Sequence, residues 1–279
     1  MKVIVADSCG FCPGVKNAIS VAEKILKEDA NVYCLGQIIH NKDVVDRLAR
    51  MGLKTVEDID EITSGTVLIR SHGVSPEIIE KLKQKGVKIV DATCVLVKRV
   101  QKIASEFAQQ GYQVVIIGDA DHPEVQAVCG WAKGAIVVAD ESDLHKIPEN
   151  SKLGIVCQTT KGPELFNRMV AAIAGQGFAE LHVVNTLCRE TVKRQQAAID
   201  ICKNVDVMFV LGGLQSANTR TLATLCKKFN NQTFHLQNIS ECDKSMTFGR
   251  KIAGVTAGAS TPDWIIEDFI KNLQSLDAG

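Results

Sequence analysis

The sequence predicts an α/β protein built from parallel sheets. Short β-branched runs alternate with longer amphipathic stretches along the 279 residues. A strand, a short turn and a cysteine at the start of a helix recur three times. No low-complexity segment or long linker interrupts this alternation. Together these observations favour parallel strands that are connected by helical crossovers.

The predicted strands are short apolar runs that end in turn residues, and in chain order they are KVIVAD, NVYCLG, TVLIRS, VKIVDA, QVVIIG, AIVVAD, KLGIVCQ, LHVVNT, DVMFVLG and KIAGVT. The amphipathic pattern predicts helices over 15–29, 95–110 and 189–204, among others. Pro13, Pro76, Pro123 and Pro262 stand at predicted helix starts, where proline is well tolerated.

Composition excludes several classes of function. Lys and Arg total 32 and Asp and Glu total 32, so no net charge favours nucleic acid or an acidic membrane surface. The longest apolar runs are too short to span a bilayer, and MKVIVADS predicts a strand rather than a signal peptide. We therefore expect a cytoplasmic protein that binds neither nucleic acid nor membrane. In that compartment most of the 10 cysteines are expected to be small buried hydrophobic residues.

The internal repeat divides the chain. VIVADSCGFC, VKIVDATC and LHVVNTLC each end a strand and place Cys12, Cys94 and Cys188 at a helix start. Their similar spacing suits one small α/β unit per cysteine. We therefore predict three units: residues 13–93, residues 94–186, and residues 187–279 together with the N-terminal strand 1–12.

Three cysteines in the same setting suggest a metal centre. A helix N-terminus stabilises a thiolate, which is the form that binds metal. Zinc usually takes ligands from closer pairs or adds histidines, whereas an iron–sulfur cluster accepts widely separated cysteines. Three ligands on a four-iron cluster would leave one iron open to a reacting group. The alternative is three buried cysteines at ordinary strand–helix junctions. In the C-x-x-C stretch, Cys9 belongs to the strand end, so only Cys12 fits the pattern.

Polar residues occupy the remaining strand–helix junctions. His40, His72 and His122 each follow a predicted strand, and Ser216, Asn218 and Ser260 stand at two further helix starts. Hydroxyl and amide side chains there are ordinary helix caps, yet helix starts with hydroxyls and imidazoles also bind phosphate. The order of a P-loop is absent from the sequence, which argues against an ATPase.

Two further residues suit proton transfer. Glu124 follows His122 by two positions, and a carboxyl group near an anion has a raised pKa that suits a proton donor. The alternative for Glu124 is a first-turn glutamate that complements the helix dipole. Thr159 follows a strand and could orient a substrate hydroxyl, or could simply be a β-branched edge residue.

The ordered motifs GFCPGV, IHNKDVV, RSHGV, DATC, HPEV, QTT, LC with RQQA, SAN and TAGASTP cover nearly the whole chain. In this order they resemble the LytB family of 4-hydroxy-3-methylbut-2-enyl diphosphate reductases. The resemblance implies three α/β units with pseudo-threefold symmetry around a central [4Fe–4S] cluster. It implies that Cys12, Cys94 and Cys188 hold the cluster, whose open iron binds the allylic oxygen of the substrate.

The resemblance also implies roles for the other candidates. The diphosphate-binding positions of the family match His40, His72, His122, Ser216, Asn218 and Ser260. Glu124 matches the acid that delivers a proton, and Thr159 matches the threonine near the substrate hydroxyl. The implied reaction is a two-electron, two-proton reductive dehydroxylation that gives isopentenyl and dimethylallyl diphosphates, with ferredoxin or flavodoxin as the electron donor.

The chain departs from the family pattern at four positions. Val95 stands where proline is usual, Gln126 where glycine is usual, Glu190 where alanine is usual, and Ala217 where a second serine is usual. A lost hydrogen bond to a charged group at Ala217 is worth about 1.5–3 kcal/mol. Two alternatives therefore stay open: a divergent enzyme that reduces another substrate on the same scaffold, and an iron–sulfur redox sensor without enzymatic activity.

Overall fold

The computed structural model of the chain describes residues 1–275. Its α-helices are α1 (Pro13–Glu28), α2 (Lys42–Arg50), α3 (Pro76–Gln84), α4 (Val95–Gln109), α5 (Pro123–Trp131), α6 (Pro163–Ala174), α7 (Arg189–Cys202), α8 (Ala217–Phe229) and α9 (Asp263–Ser275). Its strands are β1 (Lys2–Val5), β2 (Val32–Leu35), β3 (Leu53–Val56), β4 (Thr66–Ile69), β5 (Lys88–Asp91), β6 (Gln113–Ile117), β7 (Ile136–Val138), β8 (Lys152–Cys157), β9 (Glu180–Val183), β10 (Val207–Leu211), β11 (Thr233–Leu236) and β12 (Ile252–Ala257).

The strands form three sheets of four strands each, and every strand pair is parallel. Sheet A has the order β1-β12-β10-β11, sheet B the order β5-β4-β2-β3, and sheet C the order β9-β8-β6-β7. The first strand in each of these orders is an edge strand, and it leads to Cys12, Cys94 or Cys188. In sheets B and C the chain fills the third, fourth, second and first positions in turn, and sheet A differs only because the N-terminal strand fills its first position.

The chain forms two compact units. Unit 1 comprises Met1–Lys16, Ile39–Asp46 and the described part of Arg189–Gly279, and it contains sheet A. Unit 2 comprises Asn17–Ile38 and Arg47–Cys188, and it contains sheets B and C.

The two central strands of each sheet are mostly apolar and buried, as is typical of parallel sheets covered on both faces, whereas the edge strands are more exposed. In unit 1 every residue of β10 is buried, and the Phe209 ring lies 5.2 Å from the Phe269 ring of α9. In unit 2, β6 and β8 are sandwiched between helices, with Phe107 of α4 in one core and Met169 of α6 in the other. These cores fix the strands whose carboxyl ends lead to the candidate site residues.

The predicted α/β class is confirmed, and each predicted strand has a counterpart among the three parallel sheets. Two strands, β3 and β11, were not predicted. Each is a four-residue strand at a sheet edge, where pairing with β2 or β10 rather than a strong apolar run stabilises the extended backbone. The strands are grouped in the sheets as the three predicted ranges group them. Three separate domains stay a prediction, and residues 276–279 of the third range lie outside the described part of the chain.

The sequence predicts no membrane-spanning helix and mostly buried cysteines. Within residues 1–275 no helix combines the length and apolarity needed to cross a membrane. No disulfide joins the described cysteines. Cys34, Cys157, Cys202 and Cys226 are buried as expected, whereas Cys129 and Cys242 are only half-buried and pack against the cores from outside.

Candidate functional site

All the predicted site residues follow the carboxyl ends of strands, and the three sheets supply them in the same pattern. The edge strands β1, β5 and β9 lead to the cysteines: Cys12, Cys94 and Cys188. The second strands β12, β4 and β8 lead to Ser260, His72 and Thr159. The third strands β10, β2 and β6 lead to Ser216 with Asn218, to His40, and to His122 with Glu124. In open parallel sheets, ligands bind at the carboxyl ends of the strands.

The backbone of each cysteine is fixed by an equivalent hydrogen bond. Cys12 N donates to Ala259 O at 3.1 Å, Cys94 N to Ser71 O at 3.0 Å, and Cys188 N to Thr159 O at 2.9 Å. In every case the acceptor belongs to the turn after the neighbouring strand, the same turn that carries a second candidate residue. The three cysteines therefore occupy the same structural position in three sheets.

The sulfur atoms lie at helix starts. Cys12 directly precedes α1, and Val15 N donates to Cys12 Sγ at 3.4 Å. Cys94 is the N-cap of α4, and Cys188 directly precedes α7. All three are half-buried. Backbone N–H groups of a helix start stabilise thiolate, so these cysteines suit metal coordination.

Cys9 has a different environment. Burial raises the pKa of the Cys9 thiol to about 11, and the nearby Arg194 charge offsets only part of that effect. Cys9 packs against the core of sheet A. It therefore remains a protonated thiol at neutral pH, which suits packing rather than coordination.

In unit 2, Glu124 and Thr159 form a buried pair. Thr159 N donates to Glu124 Oε1 at 2.7 Å, and Thr159 Oγ1 lies 2.8 Å from Glu124 Oε2. Glu124 is only 2% exposed. Burial raises the pKa of the Glu124 carboxyl, while the hydrogen bonds from Thr159 lower it by a smaller amount. The carboxyl group is thus suited to hold a proton.

Two imidazoles lie beside this pair in unit 2. His122 caps α5, because its Nδ1 accepts a hydrogen bond from Glu124 N at 3.1 Å. In the neutral ring the proton is then on Nε2, which can donate to an anionic ligand. The His72 ring stands edge-on to the His122 ring, with centroids 5.4 Å apart.

The loops that carry these residues are joined by a further ion pair that sequence analysis missed. Lys161 Nζ lies 2.6 Å from Asp119 Oδ1, and the Lys161 side chain is only 12% exposed. Asp119 N also donates to Gln158 Oε1 at 2.9 Å. These contacts hold the β6–α5 loop, which leads to Glu124 in the first turn of α5, against the β8–α6 loop that carries Thr159. The QTTKG stretch contained the lysine, but nothing in the sequence indicated its partner.

Unit 1 contains Cys12, His40, Ser216, Asn218 and Ser260. Ser216 is buried and caps α8 by accepting a hydrogen bond from Thr219 N at 3.4 Å. Among the described residues, neither Ser260 Oγ nor Asn218 Nδ2 has a hydrogen-bond partner, although both atoms are shielded from solvent. Unsatisfied polar atoms are costly, so these two indicate a polar ligand.

His40 lies in the same unit, close to the loop that leads to α8. A Cβ atom on Gly213 would stand 2.5 Å from His40 O, so only glycine allows the two backbones to approach this closely. Gly213 lies in the GGLQS turn after β10, three residues before Ser216. The close approach brings the His40 turn to the turn that carries Ser216 and Asn218.

Arg194 of α7 is a second residue that sequence analysis did not single out. It is 4% exposed and donates to three backbone carbonyls, Ser8 O at 3.0 Å, Gly10 O at 2.8 Å and Ala257 O at 2.7 Å. The only signal was its place in the RQQA motif. Its contacts join the loop before Cys12 to the end of β12.

The described residues contain no group of three or more His, Cys, Asp or Glu side chains that could hold a single metal ion. A cluster of several irons spans more space than one ion and takes thiolate ligands.

Comparison with known proteins places this chain in a family. The family model described as LytB protein matches residues 3–274. The chain belongs to the LytB family.

LytB relatives align with the chain over its full length. The 4-hydroxy-3-methylbut-2-enyl diphosphate reductase of Geobacter metallireducens is 40% identical and covers 100% of this chain and 99% of its own. The reductase of the same name from Alkaliphilus oremlandii is 41% identical and covers 99% of this chain and 100% of its own.

Two solved LytB structures share the fold. A solved (E)-4-hydroxy-3-methyl-but-2-enyl diphosphate reductase, described as the terminal enzyme of the non-mevalonate pathway, is 40% identical with a TM-score of 0.72, covering 99% of this chain and 100% of its own. The E-1-hydroxy-2-methyl-but-2-enyl-4-diphosphate reductase of Plasmodium falciparum is 27% identical with a TM-score of 0.93, covering 99% and 89%.

Proposed function

We propose that this LytB protein reduces 4-hydroxy-3-methylbut-2-enyl diphosphate to isopentenyl and dimethylallyl diphosphates. The reaction consumes two electrons and two protons and releases the hydroxyl group as water. The names of the full-length relatives support the substrate. The observation that carries the proposal is the position of Thr159, which bonds both the buried Glu124 carboxyl and the backbone of Cys188. A proton donor beside a cysteine that can hold a redox centre is what this reaction needs.

The cofactor proposed is a [4Fe–4S] cluster, with Cys12, Cys94 and Cys188 as ligands. The donor chemistry fits, since each is a half-buried cysteine at a helix start and none is in a disulfide. When bound, the cluster supplies the electrons and a Lewis-acidic iron.

The diphosphate is held by the polar turns. Ser260 Oγ and Asn218 Nδ2 gain the hydrogen bonds that the protein itself does not give them. Ser216, His40, His72 and His122 add hydroxyl and imidazole groups at the same strand ends. Holding the diphosphate orients the hydroxyl end of the substrate, and orientation of this kind lowers the barrier of the chemical step.

Glu124 supplies a proton to the departing hydroxyl. In the structure Thr159 Oγ1 donates to Glu124 Oε2 at 2.8 Å. For proton delivery this hydrogen bond reverses: the protonated carboxyl donates to Thr159 Oγ1 while the threonine hydroxyl donates its own proton to the substrate oxygen. Protonation converts a poor leaving group into water. Burial raises the pKa of the Glu124 carboxyl, which favours the protonated form that this role requires.

The departures from the family pattern leave this chemistry intact. Val95 is 77% exposed, and Gln126 is also exposed, so neither fills a space beside the buried pair. Glu190 pairs with Lys193 at 3.7 Å on the surface of α7. Ala217 removes one hydroxyl next to Ser216, and it is expected to weaken diphosphate binding by about 1.5–3 kcal/mol.

The test is an anaerobic assay. The protein is reconstituted with iron and sulfide and given reduced viologen and 4-hydroxy-3-methylbut-2-enyl diphosphate. We expect two viologen radicals to be oxidised for each molecule of isopentenyl or dimethylallyl diphosphate that mass spectrometry detects. Isopentenyl diphosphate, which lacks the hydroxyl group, is the control and should cause no oxidation. An intact cluster without turnover would refute this substrate and favour a different substrate or a sensor.

Glu124→Gln is the matched variant, because it keeps the size of the side chain and removes the proton. We expect turnover to fall by about 10²–10⁴-fold. Binding of the diphosphate, measured by calorimetry, should stay near that of the unaltered protein. Equal loss of binding and turnover would contradict the role of Glu124 in proton delivery.

We further propose ferredoxin or flavodoxin as the electron donor and the cytoplasm as the compartment. A reduced iron–sulfur centre and cysteines outside disulfides both require reducing conditions. Reduction of the cluster by either purified donor, followed spectroscopically, tests the partner.

A further inference from the structure

Arg194 occupies an unusual position for a charged side chain. It lies on α7, is 4% exposed, and directs its guanidinium group at backbone carbonyls. Nη1 donates to Ser8 O and Ala257 O, and Nη2 donates to Gly10 O. Two of these acceptors lie in the loop that leads from β1 to Cys12. The third lies at the end of β12, the strand that pairs with β1.

This loop is the longest of the three that lead to a cysteine. Residues 6–11 separate β1 from Cys12, whereas residues 92–93 separate β5 from Cys94 and residues 184–187 separate β9 from Cys188. A longer loop has more conformations, and fixing it costs more entropy. The Cys12 loop therefore needs contacts beyond those of the other two.

The loop is held from two sides. Arg194 bonds its carbonyls, and Gly10 packs against α9 on the other side. Gly10 has φ +81°, and a Cβ atom there would lie 2.7 Å from Asp263 Oδ1. Cys12 itself is tied to Ala259 O. All of these residues belong to unit 1, so the contacts that hold the loop come from unit 1.

We propose that Arg194 is a positioning residue that fixes the β1–α1 loop so that Cys12 is held ready to bind the cluster. The proposal rests on the proposed function, since it assumes that Cys12 is a ligand. The planar guanidinium group can bond several carbonyls at once, which a lysine ammonium cannot do with the same geometry. Residues that contact and orient the metal ligands, without touching the metal themselves, contribute strongly to metal affinity.

The test compares three variants after anaerobic reconstitution. Arg194→Met removes the hydrogen bonds and the charge, and Arg194→Lys keeps the charge without the fork. Lys193→Met is the matched control, because Lys193 is the exposed neighbour on the same helix. Iron and sulfide per chain are measured, together with the rate at which a chelator bleaches the visible absorbance.

We expect Arg194→Met to lose iron about 10–100-fold faster than the unaltered protein. Arg194→Lys should lie between Arg194→Met and the control, and Lys193→Met should match the unaltered protein. The electron paramagnetic resonance spectrum of the reduced cluster should change in Arg194→Met and stay unchanged in Lys193→Met. General loss of packing elsewhere would not produce this order.

A second measurement addresses folding. Hydrogen exchange of the cluster-free protein should be faster over residues 6–12 in Arg194→Met, while the core strands of sheet A stay protected. Gly10→Ala is a second variant that distorts the same loop from the α9 side and leaves Arg194 in place. It should also lose iron faster than Lys193→Met.

The proposal is overturned if Arg194→Met retains iron like Lys193→Met, or if exchange over residues 6–12 is unchanged. Failure of the proposed function gives a different result. In that case the unaltered protein would hold no cluster, or would hold one and fail to reduce the diphosphate.

Discussion

At the residue scale, Glu124 shows how two opposing effects set one proton affinity. Burial raises the pKa of its carboxyl, and the two hydrogen bonds from Thr159 lower it by less. In the proposed proton transfer, the same threonine that receives the proton therefore limits how tightly the carboxyl holds it. A stronger hold would slow the transfer, and a weaker hold would leave the carboxyl ionised before the substrate arrives.

This raised pKa predicts a pH dependence of stability. The unfolded carboxyl loses its proton near its ordinary value of 4.5, whereas the folded one keeps it to higher pH. The native state then binds more protons, so the free energy of unfolding falls as the pH rises through the folded pKa of Glu124. Relative to Glu124→Gln, we expect a loss of up to about 1.4 kcal/mol per pH unit between pH 4.5 and the folded pKa of Glu124, and no further loss above it.

Urea denaturation of both proteins over a pH series measures that difference. Other titrating groups are common to the two proteins and cancel in the comparison. A constant difference across the series would mean that burial does not shift the Glu124 carboxyl.

Cys9 gives a second prediction at this scale. Cys9→Ser should keep the iron content of the unaltered protein and lose about 1–3 kcal/mol of stability, because it places a hydroxyl group against the core. Cys12→Ser, three residues away, should lose the cluster. Iron analysis after reconstitution compares the two. Equal iron loss in both variants would show that both cysteines of the C-x-x-C stretch are needed to hold the cluster.

The sequence predicted individual site residues where a strand, a turn and a helix start coincide, as at Cys94 and His122. It did not predict Arg194 or Lys161. Arg194 bonds backbone carbonyls, which carry no side-chain pattern, and residues 8 and 194 are far apart in the chain. Lys161 and Asp119 are also distant in sequence, so only the fold brings the charges together.

At the element scale, the turns after strands are more informative than the strands themselves. Strands with strong apolar runs, such as β10, were predictable because burial on both faces requires them. The edge strands β3 and β11 were not, since exposed residues such as Lys54 interrupt the apolar pattern of the first and pairing alone determines their conformation.

The Asp119–Lys161 pair yields a prediction for the two loops that it joins. Asp119→Asn should destabilise the protein more than Lys161→Met, because it leaves the nearly buried ammonium without its carboxylate. In Lys161→Met the half-exposed Asp119 can be hydrated instead. The double variant should recover part of the loss, with a coupling free energy of about 1 kcal/mol.

Thermal or urea denaturation of the four proteins completes this double-mutant cycle. Additive effects would show that the pair does not couple the loops. Lys98→Met is a suitable control, because Lys98 pairs with Asp91 at 2.6 Å but is more exposed.

At the scale of the whole molecule, three sheets repeat one plan. In each, the edge strand leads to a cysteine and the next two strands lead to polar residues. The repeat of strand, turn and cysteine in the sequence predicted this much. It could not predict the strand orders, because order depends on which crossovers pack against which sheet face.

The shared plan predicts equal importance for the three cysteines. Cys12→Ser, Cys94→Ser and Cys188→Ser should each reduce bound iron to a similar low level and abolish turnover. Cys34→Ser is the control: Cys34 lies in the core of unit 2, where burial raises its pKa to about 12. It should lower stability and keep its iron. Full iron content in any of the first three would remove that residue from the ligand set.

The pairing of β1 with β12 delays the completion of sheet A during synthesis of the chain. Among the described residues, β1 has only β12 as its neighbour in sheet A, and β12 spans Ile252–Ala257, so it is synthesised long after β1. Sheets B and C are complete by residue 183 and can form while synthesis continues. The Cys12 loop, however, accepts hydrogen bonds from Arg194 at Ser8 O and Gly10 O, and Cys12 N donates to Ala259 O. In a nascent chain that lacks residues 252–259 the Cys12 loop would thus be unanchored, and the proposed cluster would be inserted only after that segment has been synthesised.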